Sequence, residues 1–445
     1  MNMTYDEALA YWYSHINYEQ RSPSWGDLKL DRMRNLLNRL DDPHRYQRIV
    51  HVTGSKGKGS VSAMIATILR RAGYRTGLFT SPHLSKLEER FQVDGVAITR
   101  DELTQVILDV KTAIESHSPF GVGGARPTFF EICTAVGLLH YRRRATTATV
   151  LEVGLGGRLD STNVCRPVLS VITSISYDHT KILGTELSSI AREKAGIIKV
   201  GRPVVSGVTQ PEPKTVIVDI ARNRTATLVG LGDDFHYEYQ PGFVDRQLPQ
   251  VRVTTRQRRW PWLEIGLLGE HQAANAAVVV ACVEELRRQG WSLPDDAVAS
   301  GLRDVNWPAR MEVVRRNPYV VLDCAHNAAS AEFVVRTLES TFPPGPRTLI
   351  FAASSDKDVV GMFKYLRPAF SRVIFTRYTT NPRAIPPAEL VELWGGGEAV
   401  EPPAEAVRVA LEGEKLVCIT GSLFLAGELR PLLVEVGETD LSHSM

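Results

Sequence analysis

Residues 48–60, RIVHVTGSKGKGS, decide the fold. The apolar run ending at Val52 is typical of a strand buried on both faces of a parallel sheet. The glycines after it let the backbone turn tightly, so that successive N–H groups and a helix N-terminus face a triphosphate, while Lys58 supplies a positive charge. We expect the helix to begin near Ser60. The stretch therefore predicts a strand, a phosphate-binding loop and a helix that bind ATP or a similar nucleotide.

Short apolar runs alternate with helical stretches on the C-terminal side of this loop, a pattern that predicts parallel strands joined by crossover helices. The predicted strands are 48–52, 76–79, 149–153, 169–175 and 203–206. Before the loop, residues 1–40 carry two amphipathic helical stripes, separated by a loop at 21–30. Residues 225–268 alternate polar and apolar positions and predict a small antiparallel appendage, and residues 268–289 predict a long helix.

A second α/β pattern begins near Trp307, with predicted strands at 319–322, 348–352, 372–375 and 415–419. The expected boundary lies between Asp304 and Trp307, which leaves about 300 residues before it and about 140 after it. We therefore expect an α/β protein of two domains. Residues 1–305 form a P-loop NTPase-like domain with a mostly parallel sheet, and residues 306–445 form a smaller, Rossmann-like α/β domain.

Composition excludes several functional classes. The 445 residues include 52 Lys and Arg against 50 Asp and Glu, and a net charge of +2 provides no field for holding nucleic acid. The five cysteines lie far apart and form no zinc-binding pattern, which indicates buried thiols in a reducing compartment. Neither a signal peptide nor a membrane span is apparent. We expect a cytoplasmic monomer that binds small molecules, with neither nucleic acid nor membrane as a partner.

Three polar residues follow three predicted strands and are candidate Mg²⁺ ligands. Ser81 follows the strand 76–79, Glu152 lies near the end of strand 149–153, and His179 follows 169–175. A carboxylate at the end of an apolar strand is costly to bury unless a cation or a proton compensates it. Ser81 could equally be a turn residue, and a lone His is often structural. Because parallel strands end at one edge of the sheet, the three together favour a shared Mg²⁺ site.

The glycine-rich segment after Glu152, residues 154–160, permits a close approach of the backbone to a ligand. Asp160 and Asn163 at its end could line a substrate pocket.

The order of these motifs closely resembles folylpolyglutamate synthase and the bifunctional dihydrofolate synthase, within the Mur ligase superfamily. The match runs from Thr53 to Glu428, so it covers nearly the whole chain. The motifs are 53–60 (TGSKGKGS), 80–84 (TSPHL), 128–131 (TFFE), 152–163 (EVGLGGRLDSTN), 178–184 (DHTKILG), 193–199 (EKAGIIK), 269–276 (GEHQAANA), 307–312 (WPARME), 322–327 (LDCAHN) and 419–428 (ITGSLFLAGE).

The resemblance implies an ATP-dependent ligase that adds L-glutamate to a folate, and to dihydropteroate, through an acyl phosphate. It implies a cofactor set of ATP and Mg²⁺, with two ions expected. Residues implied at the ATP are Gly54, Gly57, Lys58, Gly59, Ser60, Asn275, Arg310 and Asp323. Those implied at Mg²⁺ are Ser81, Glu152 and His179.

Further roles also rest on this resemblance alone. Lys194 resembles the lysine that is carbamylated in the superfamily, whereas its sequence context alone would place it on a helix surface. His326 lies where the family has a residue near the transferred phosphate, although a helix-start histidine explains it equally well. Asp27, Phe129, Phe130 and Asp160 are expected on the pterin or aminobenzoyl side of the folate.

Three alternatives stay open at this point. Lys29 stands where the family often has glycine in an early pterin-contact stretch, so the pterin substrate, and with it the dihydrofolate synthase activity, is not fixed. A Mur-type ligase acting on another carboxylate is the nearest enzymatic alternative, although only about 47 residues precede the first strand. A regulatory protein that binds ATP without ligation is an alternative of another class.

Overall fold

The first sheet of the molecule is mostly parallel, as the sequence predicts. The computed structural model describes residues 3–19, 27, 29–116, 126–177, 180–412 and 415–441. The strands of the first sheet are β1 (Ile49–Thr53), β2 (Thr76–Phe79), β3 (Phe91–Val93), β4 (Val96–Ala97), β5 (Ala148–Glu152), β6 (Leu169–Ile172), β7 (Val204–Ser206) and β8 (Leu228–Gly230). They lie in the order β4-β3-β2-β5-β1-β6-β7-β8. All neighbours from β2 to β8 are parallel, which puts the ends of β1, β2, β5 and β6 at one edge.

Two parts of this sheet differ from the prediction. Strands β3 and β4 form an antiparallel hairpin at its edge, turning at Asp94 and Gly95, whose φ values are +55° and +82°. Strand β8 pairs in parallel with β7, so the expectation that the whole of 225–268 is an antiparallel appendage is wrong at its start. The appendage itself consists of β9 (Phe235–Gln240), β10 (Gln250–Thr255) and β11 (Leu263–Glu264), paired antiparallel.

The C-terminal part of the chain forms a six-stranded sheet. Its strands are β12 (Glu312–Arg316), β13 (Tyr319–Leu322), β14 (Thr348–Phe351), β15 (Arg372–Phe375), β16 (Glu398–Ala399) and β17 (Leu416–Thr420), in the order β12-β13-β17-β14-β15-β16. Only β12 is antiparallel to its neighbour. Four of these strands were predicted, and the edge strands β12 and β16 were not. The predicted division at 305/306 falls in the connection before β12 and stays a prediction.

Helices cover both faces of each large sheet. They are α1 (Tyr5–Tyr13), α2 (Leu30–Arg39), α3 (Lys58–Arg71), α4 (Arg100–Glu115), α5 (Phe129–Arg143), α6 (Thr180–Leu183), α7 (Leu187–Ala195), α8 (Pro211–Asn223), α9 (Glu270–Arg288), α10 (Asp295–Arg303), α11 (Ala328–Thr341), α12 (Val359–Leu366), α13 (Pro387–Trp394), α14 (Pro403–Leu411) and α15 (Leu423–Leu441). Side chains alternate along β1: Val50 and Val52 pack with α3 and α9, whereas Ile49 packs with α1, α2, α4 and α5.

The two faces of the first sheet are therefore both buried, which explains why its strands are apolar throughout. All five cysteines are buried and free, as expected. Within the described ranges, none of the helices combines the length and the apolar character that a bilayer crossing requires.

Candidate active site

The phosphate-binding loop between β1 and α3 is closely packed from two sides. Helix α3 begins at Lys58, two residues earlier than predicted, and Gly57 before it has φ +83°. A Cβ atom on Gly57 would overlap the side-chain amide of Asn275 on α9, and one on Gly59 would lie 2.9 Å from Nε1 of Trp307. Glycine is therefore required at both positions, by the conformation or by the close approach. Asn275 lies at the loop, where the sequence predicted it.

Residues beyond the end of β6 hold the loop in place. The hydroxyls of Thr173 and Ser174 donate hydrogen bonds to the carbonyl oxygen of Lys56, at 2.5 and 3.1 Å. The backbone N–H of Lys56 in turn donates to the Ser174 hydroxyl at 3.0 Å. These bonds pair both backbone polar groups of Lys56. The N–H groups at the start of α3, which have no partner within the helix, are available to an anion.

Two lysines share one carbonyl oxygen in this loop. Lys58 Nζ donates to the oxygen of Gly54 at 3.1 Å, and Lys194 Nζ donates to the same oxygen at 3.0 Å. Lys194 is only 2% exposed, although its place in α7 looked like a helix surface in the sequence. Two ammonium groups are thus concentrated at the point where the loop would receive the phosphates.

Glu152 lies buried at the end of β5 beside this charge, with 4% of its surface exposed. Its Oε2 accepts a hydrogen bond from the backbone N–H of Ser81 at 3.2 Å, so two of the three predicted metal ligands lie together. Burial raises the pKa of Glu152 to about 7, against the opposing influence of Lys58 and Arg310. A carboxylate so poorly solvated is suited to a cation, which would take the place of the proton.

The third predicted ligand, His179, lies outside the described residues. Within the described ranges, no group of three His, Cys, Asp or Glu side chains is arranged to hold a metal ion. Ser81 and Glu152, joined through the backbone N–H of Ser81 at the carboxyl ends of neighbouring parallel strands, nevertheless offer a hydroxyl and a carboxylate, the oxygen donors that Mg²⁺ takes together with phosphate oxygens and water.

The loop after Glu152 is held by its own polar side chains. Asp160 Oδ2 accepts hydrogen bonds from the backbone N–H groups of Gly154 and Leu155, at 3.1 and 2.9 Å. Burial raises the pKa of Asp160 above its ordinary value even though these bonds oppose it. Asn163 donates to the carbonyl oxygens of Arg158 and Gly196, at 2.9 and 3.2 Å, which ties the loop to the end of α7.

The residues predicted on the folate side fall into different environments. Phe129 is 1% exposed and stacks on Trp12, with ring centroids 5.2 Å apart, so it belongs to the core. Phe130 packs directly on the backbone of Gly154, beside Glu152 in the chain. The carbonyl oxygen of Asp27 accepts a hydrogen bond from Arg32 at 2.7 Å. Phe130 therefore contacts the glycine-rich loop, to which Asp160 itself belongs.

The TFFE motif that contains both phenylalanines also has a local structural function. Thr128 caps α5 by accepting from the backbone N–H of Glu131 at 3.3 Å, while the Glu131 carboxylate accepts from the N–H of Thr128 at 2.7 Å. Glu131 also forms an ion pair with Arg32 at 3.1 Å. The motif thereby fixes the start of α5 and connects it to α2.

The C-terminal sheet contributes a cation and an acid to the same region. Asp323, at the end of β13, accepts from the backbone N–H groups of Met311 and Ala325, at 2.9 and 2.7 Å. Burial would lower the pKa of Arg310, but the neighbouring Cys324, Asp323 and Glu152 raise it above its ordinary value. Arg310 thus interacts with acids from both sheets.

His326 follows these residues in the loop before α11. Its Nδ1 lies 3.0 Å from the carbonyl oxygen of Cys324, and its backbone N–H donates to the Ser330 hydroxyl at 3.2 Å. The structure therefore supports its position in a helix-start loop next to Asp323. A role at the transferred phosphate remains a prediction.

Two residues without a predicted role also belong to this site. Trp307 Nε1 and His271 Nδ1 are buried polar atoms without a hydrogen-bond partner in the described part of the chain. Burial, and the charge of Arg310, lower the pKa of His271 to about 4, so the ring is neutral. Buried groups of this kind normally have partners, so an ordered water or a polar ligand would be needed to satisfy them. Both were part of the quoted motifs, but only the structure reveals their missing partners.

These features fit ATP between the two sheets. Gly57 and Gly59 allow a ligand to approach the backbone closely, and Lys58 and Arg310 provide positive charge. Trp307 Nε1 lies beside Gly59, and His271 is electrostatically coupled to Arg310.

Comparison with known proteins agrees with this arrangement. Residues 52–283 match the model of the Mur ligase middle domain, and residues 309–423 match that of the Mur ligase glutamate ligase domain. The chain is 36% identical to the dihydrofolate synthase/folylpolyglutamate synthase of Bacillus subtilis, over 91% of this chain and 94% of that protein. It is 34% identical to the folylpolyglutamate synthase of Lacticaseibacillus casei, over 97% of this chain and 99% of the other.

Solved structures give the same result. The folylpolyglutamate synthase of Thermotoga maritima superposes with a TM-score of 0.83 at 30% identity and covers 96% of each chain. An Escherichia coli FolC structure in complex with DHPP and ADP has a TM-score of 0.84 at 26% identity, over 98% of this chain and 100% of that one. The similarity therefore extends over both sheets.

Proposed function

Because this chain belongs to the folylpolyglutamate synthase branch of the Mur ligase family, we propose that it is an ATP-dependent amide ligase that joins L-glutamate to a folate and to dihydropteroate. The observation that carries the proposal is the buried carboxylate of Glu152, which is electrostatically coupled both to Lys58 of the phosphate-binding loop and to Arg310, just before the second sheet. The Bacillus subtilis relative, similar along nearly its whole length, is named for both activities, and the Lacticaseibacillus casei relative is named for folylpolyglutamate synthesis.

The reaction requires activation because a carboxylate does not exchange its oxygen for an amine at neutral pH. An oxygen of the folate or pteroate carboxylate attacks the γ-phosphorus of ATP, the bond to the β-phosphate oxygen breaks, and ADP leaves. The glutamate nitrogen then attacks the acyl carbon, loses a proton and displaces phosphate, which leaves the amide. The contribution of the protein is to position the reactants and stabilise the charge that develops on the phosphoryl oxygens.

Lys58 and Arg310 supply that charge from opposite sides. Lys58 now donates to the Gly54 carbonyl, from which its Nζ can turn to the β- and γ-phosphates. Arg310 lies close enough to Glu152 and Asp323 to be electrostatically coupled to both. Arg310 can act on the phosphates only when the second sheet lies against the first. Catalysis would therefore need both sheets. Asn275, Asp323 and His326 would contact the nucleotide from the same interface.

Mg²⁺, expected as two ions, would be held through Ser81, Glu152 and His179 and would neutralise phosphate charge. Glu152 has to be ionised to bind the cation, and a nearby cation would favour the ionised form and lower the pKa from about 7. On the family resemblance we propose that Lys194 is carbamylated, which would replace the ammonium group now at Gly54 with a negatively charged group.

On the substrate side, Phe130 and Asp160 would contact the folate through the loop that follows β5, with Asp27 and Phe129 behind them. The packing of Phe130 on Gly154 and the hydrogen bonds of Asp160 within the loop support a preformed surface. We also propose a division into two domains at 305/306, a monomeric state and a cytoplasmic location. The ranges of the two family matches lie on either side of that division.

One assay separates this function from its alternatives. Purified protein is given ATP, Mg²⁺ and L-glutamate with either tetrahydrofolate or dihydropteroate, and phosphate release and the amide product are measured. We expect release that depends on both glutamate and the pterin substrate. ATP hydrolysis that is indifferent to glutamate would support the regulatory alternative. Glutamate-dependent activity only with another carboxylate would support a different Mur-type substrate.

The role of Lys58 is tested in the same assay. Lys58→Ala should lower kcat by about 10²- to 10³-fold, because one preorganised charge at the transferring phosphoryl group is lost. Its thermal unfolding temperature should change little, since within the described ranges the ammonium group donates one hydrogen bond, to the Gly54 carbonyl. Retention of more than half of the activity would contradict the assignment.

A further inference from the structure

The ITGSLFLAGE motif near the C-terminus has no part in the chemistry described above, and its contacts lead back to the metal-binding loop. Gly427 lies inside α15, where a Cβ atom would overlap the carbonyl oxygen of Leu84 and lie 3.0 Å from its carbonyl carbon. The Ser85 hydroxyl donates to the carbonyl oxygen of Gly427 at 2.9 Å. Residues 80–86, here called the metal loop, thus contact the second sheet's last helix directly.

The N-terminal half of the metal loop carries Ser81, whose N–H donates to Glu152. The C-terminal half is rigid, because the N–H groups of Leu84, Ser85 and Lys86 all donate to the carboxylate of Glu89, at 2.7 to 3.1 Å. A displacement at Leu84 therefore cannot be absorbed at that end and must move the loop toward Ser81.

Helix α15 is in turn fixed to the second sheet. Arg430, one turn after Gly427, forms an ion pair with Glu312 of β12 at 2.8 Å. Glu428 accepts a hydrogen bond from the N–H of Thr379, beyond β15, at 2.8 Å. Leu84 itself packs on the core of the second sheet. The contact at Gly427 therefore follows any change in how the second sheet lies on the first.

Glycine inside a helix has a cost that calls for an explanation. Relative to alanine it destabilises a helix, because it loses more backbone freedom on folding. The space left by the missing Cβ at Gly427 is filled by the backbone of Leu84, which no side-chain rearrangement can vacate.

We propose that Gly427 is a positioning residue for the metal site. When the second sheet docks on the first, the contact of Gly427 with Leu84 and Ser85 places Ser81 beside Glu152. This inference rests on the proposed function, because it takes those two residues as metal-holding groups. The site would then bind Mg²⁺ well only when the second sheet is in place, so that phosphoryl transfer is restricted to the closed enzyme.

The test compares the Mg²⁺ dependence of ligation by the wild-type protein and four variants. Gly427→Ala should raise the Mg²⁺ concentration for half-maximal activity about 10-fold, as the loss of an outer contact to a metal site does. Its unfolding temperature should stay near that of the wild type or fall, because the overlap with the Leu84 backbone opposes the gain in helix propensity. Leu432→Ala, on the exposed side of the same helix at 48% exposure, is the matched control and should behave as the wild type.

Ser85 decides the outcome if Gly427→Ala does not fold. Ser85→Ala removes one hydrogen bond and should shift the Mg²⁺ dependence in the same direction by about 2- to 3-fold, and Ser85→Thr, which keeps the hydroxyl, should restore it. A wild-type protein without Mg²⁺-dependent ligation would refute the proposed function itself. If the wild type shows that dependence and Gly427→Ala has the same Mg²⁺ dependence, the positioning role alone is overturned. If Gly427→Ala does not fold, the same result for Ser85→Ala overturns it.

Discussion

Glu152 should make the ligand-free protein less stable at alkaline pH than it would be with a neutral residue. Its pKa rises from 4.5 to about 7 on folding, and at about 1.36 kcal/mol per pKa unit this corresponds to about 3 kcal/mol. The folded state holds the proton more tightly than the unfolded chain. The destabilisation of the folded state by Glu152 is therefore absent at pH values below the unfolded pKa, grows between pH 4.5 and about 7, and is complete above that range.

Glu152→Gln removes this pH-dependent destabilisation and keeps a side-chain oxygen that can accept a hydrogen bond from the N–H of Ser81. Without nucleotide or divalent cation, the variant should exceed the wild type in free energy of unfolding by about 3 kcal/mol near pH 8 and by under about 1 kcal/mol near pH 5. Urea unfolding at both pH values measures the difference. Glu339→Gln, at an exposed position of α11, is the control and should show no such pH dependence.

An equal stability difference at the two pH values would refute the reasoning, because it would show that the buried carboxyl does not titrate in this range. The same variant should lose nearly all ligase activity. Stability gained and activity lost together would identify Glu152 as a residue kept for function against its folding cost.

Three further predictions concern the nucleotide. Asp323→Ala should weaken ATP binding about 10-fold in calorimetry although it lies on the second sheet, and an unchanged dissociation constant would exclude ATP from the interface. Gly57→Ala should abolish detectable ATP binding, because its φ of +83° disfavours alanine and the new Cβ would overlap Asn275; near-normal binding would show that the loop adapts. Trp307→Phe should weaken ATP binding by about 3- to 10-fold, the effect of one lost hydrogen bond, and should leave the unfolding temperature unchanged, since Nε1 has no protein partner among the described residues.

The sequence predicts the parallel strands well because a strand covered on both faces is mostly apolar, and β1, β2, β5 and β6 are mostly apolar and buried at every residue. The hairpin of β3 and β4 was missed although Asp94-Gly95 is a typical two-residue turn. Strand β8 was misplaced because it is partly exposed and continues directly into the antiparallel strands.

A site residue was predictable where its chemistry stands out at its place in a predicted strand or turn. A carboxylate ending an apolar strand indicated Glu152, and the glycine-rich turn indicated Lys58. Lys194 was not predictable from its own segment, because helical periodicity does not say which neighbour buries a lysine. Trp307 and His271 were missed because an unsatisfied polar atom is a property of packing, which no local pattern records.

The supports of the phosphate-binding loop come from far along the chain. Lys56 is held by Thr173 and Ser174, more than 110 residues later, and Gly57 rests on Asn275. Long-range pairings of this kind form late, after the entropy of closing large loops has been overcome. A nascent or refolding chain therefore acquires its helix and strands well before it can retain a nucleotide, and binding of a fluorescent ATP analogue would report the completion of folding rather than its onset.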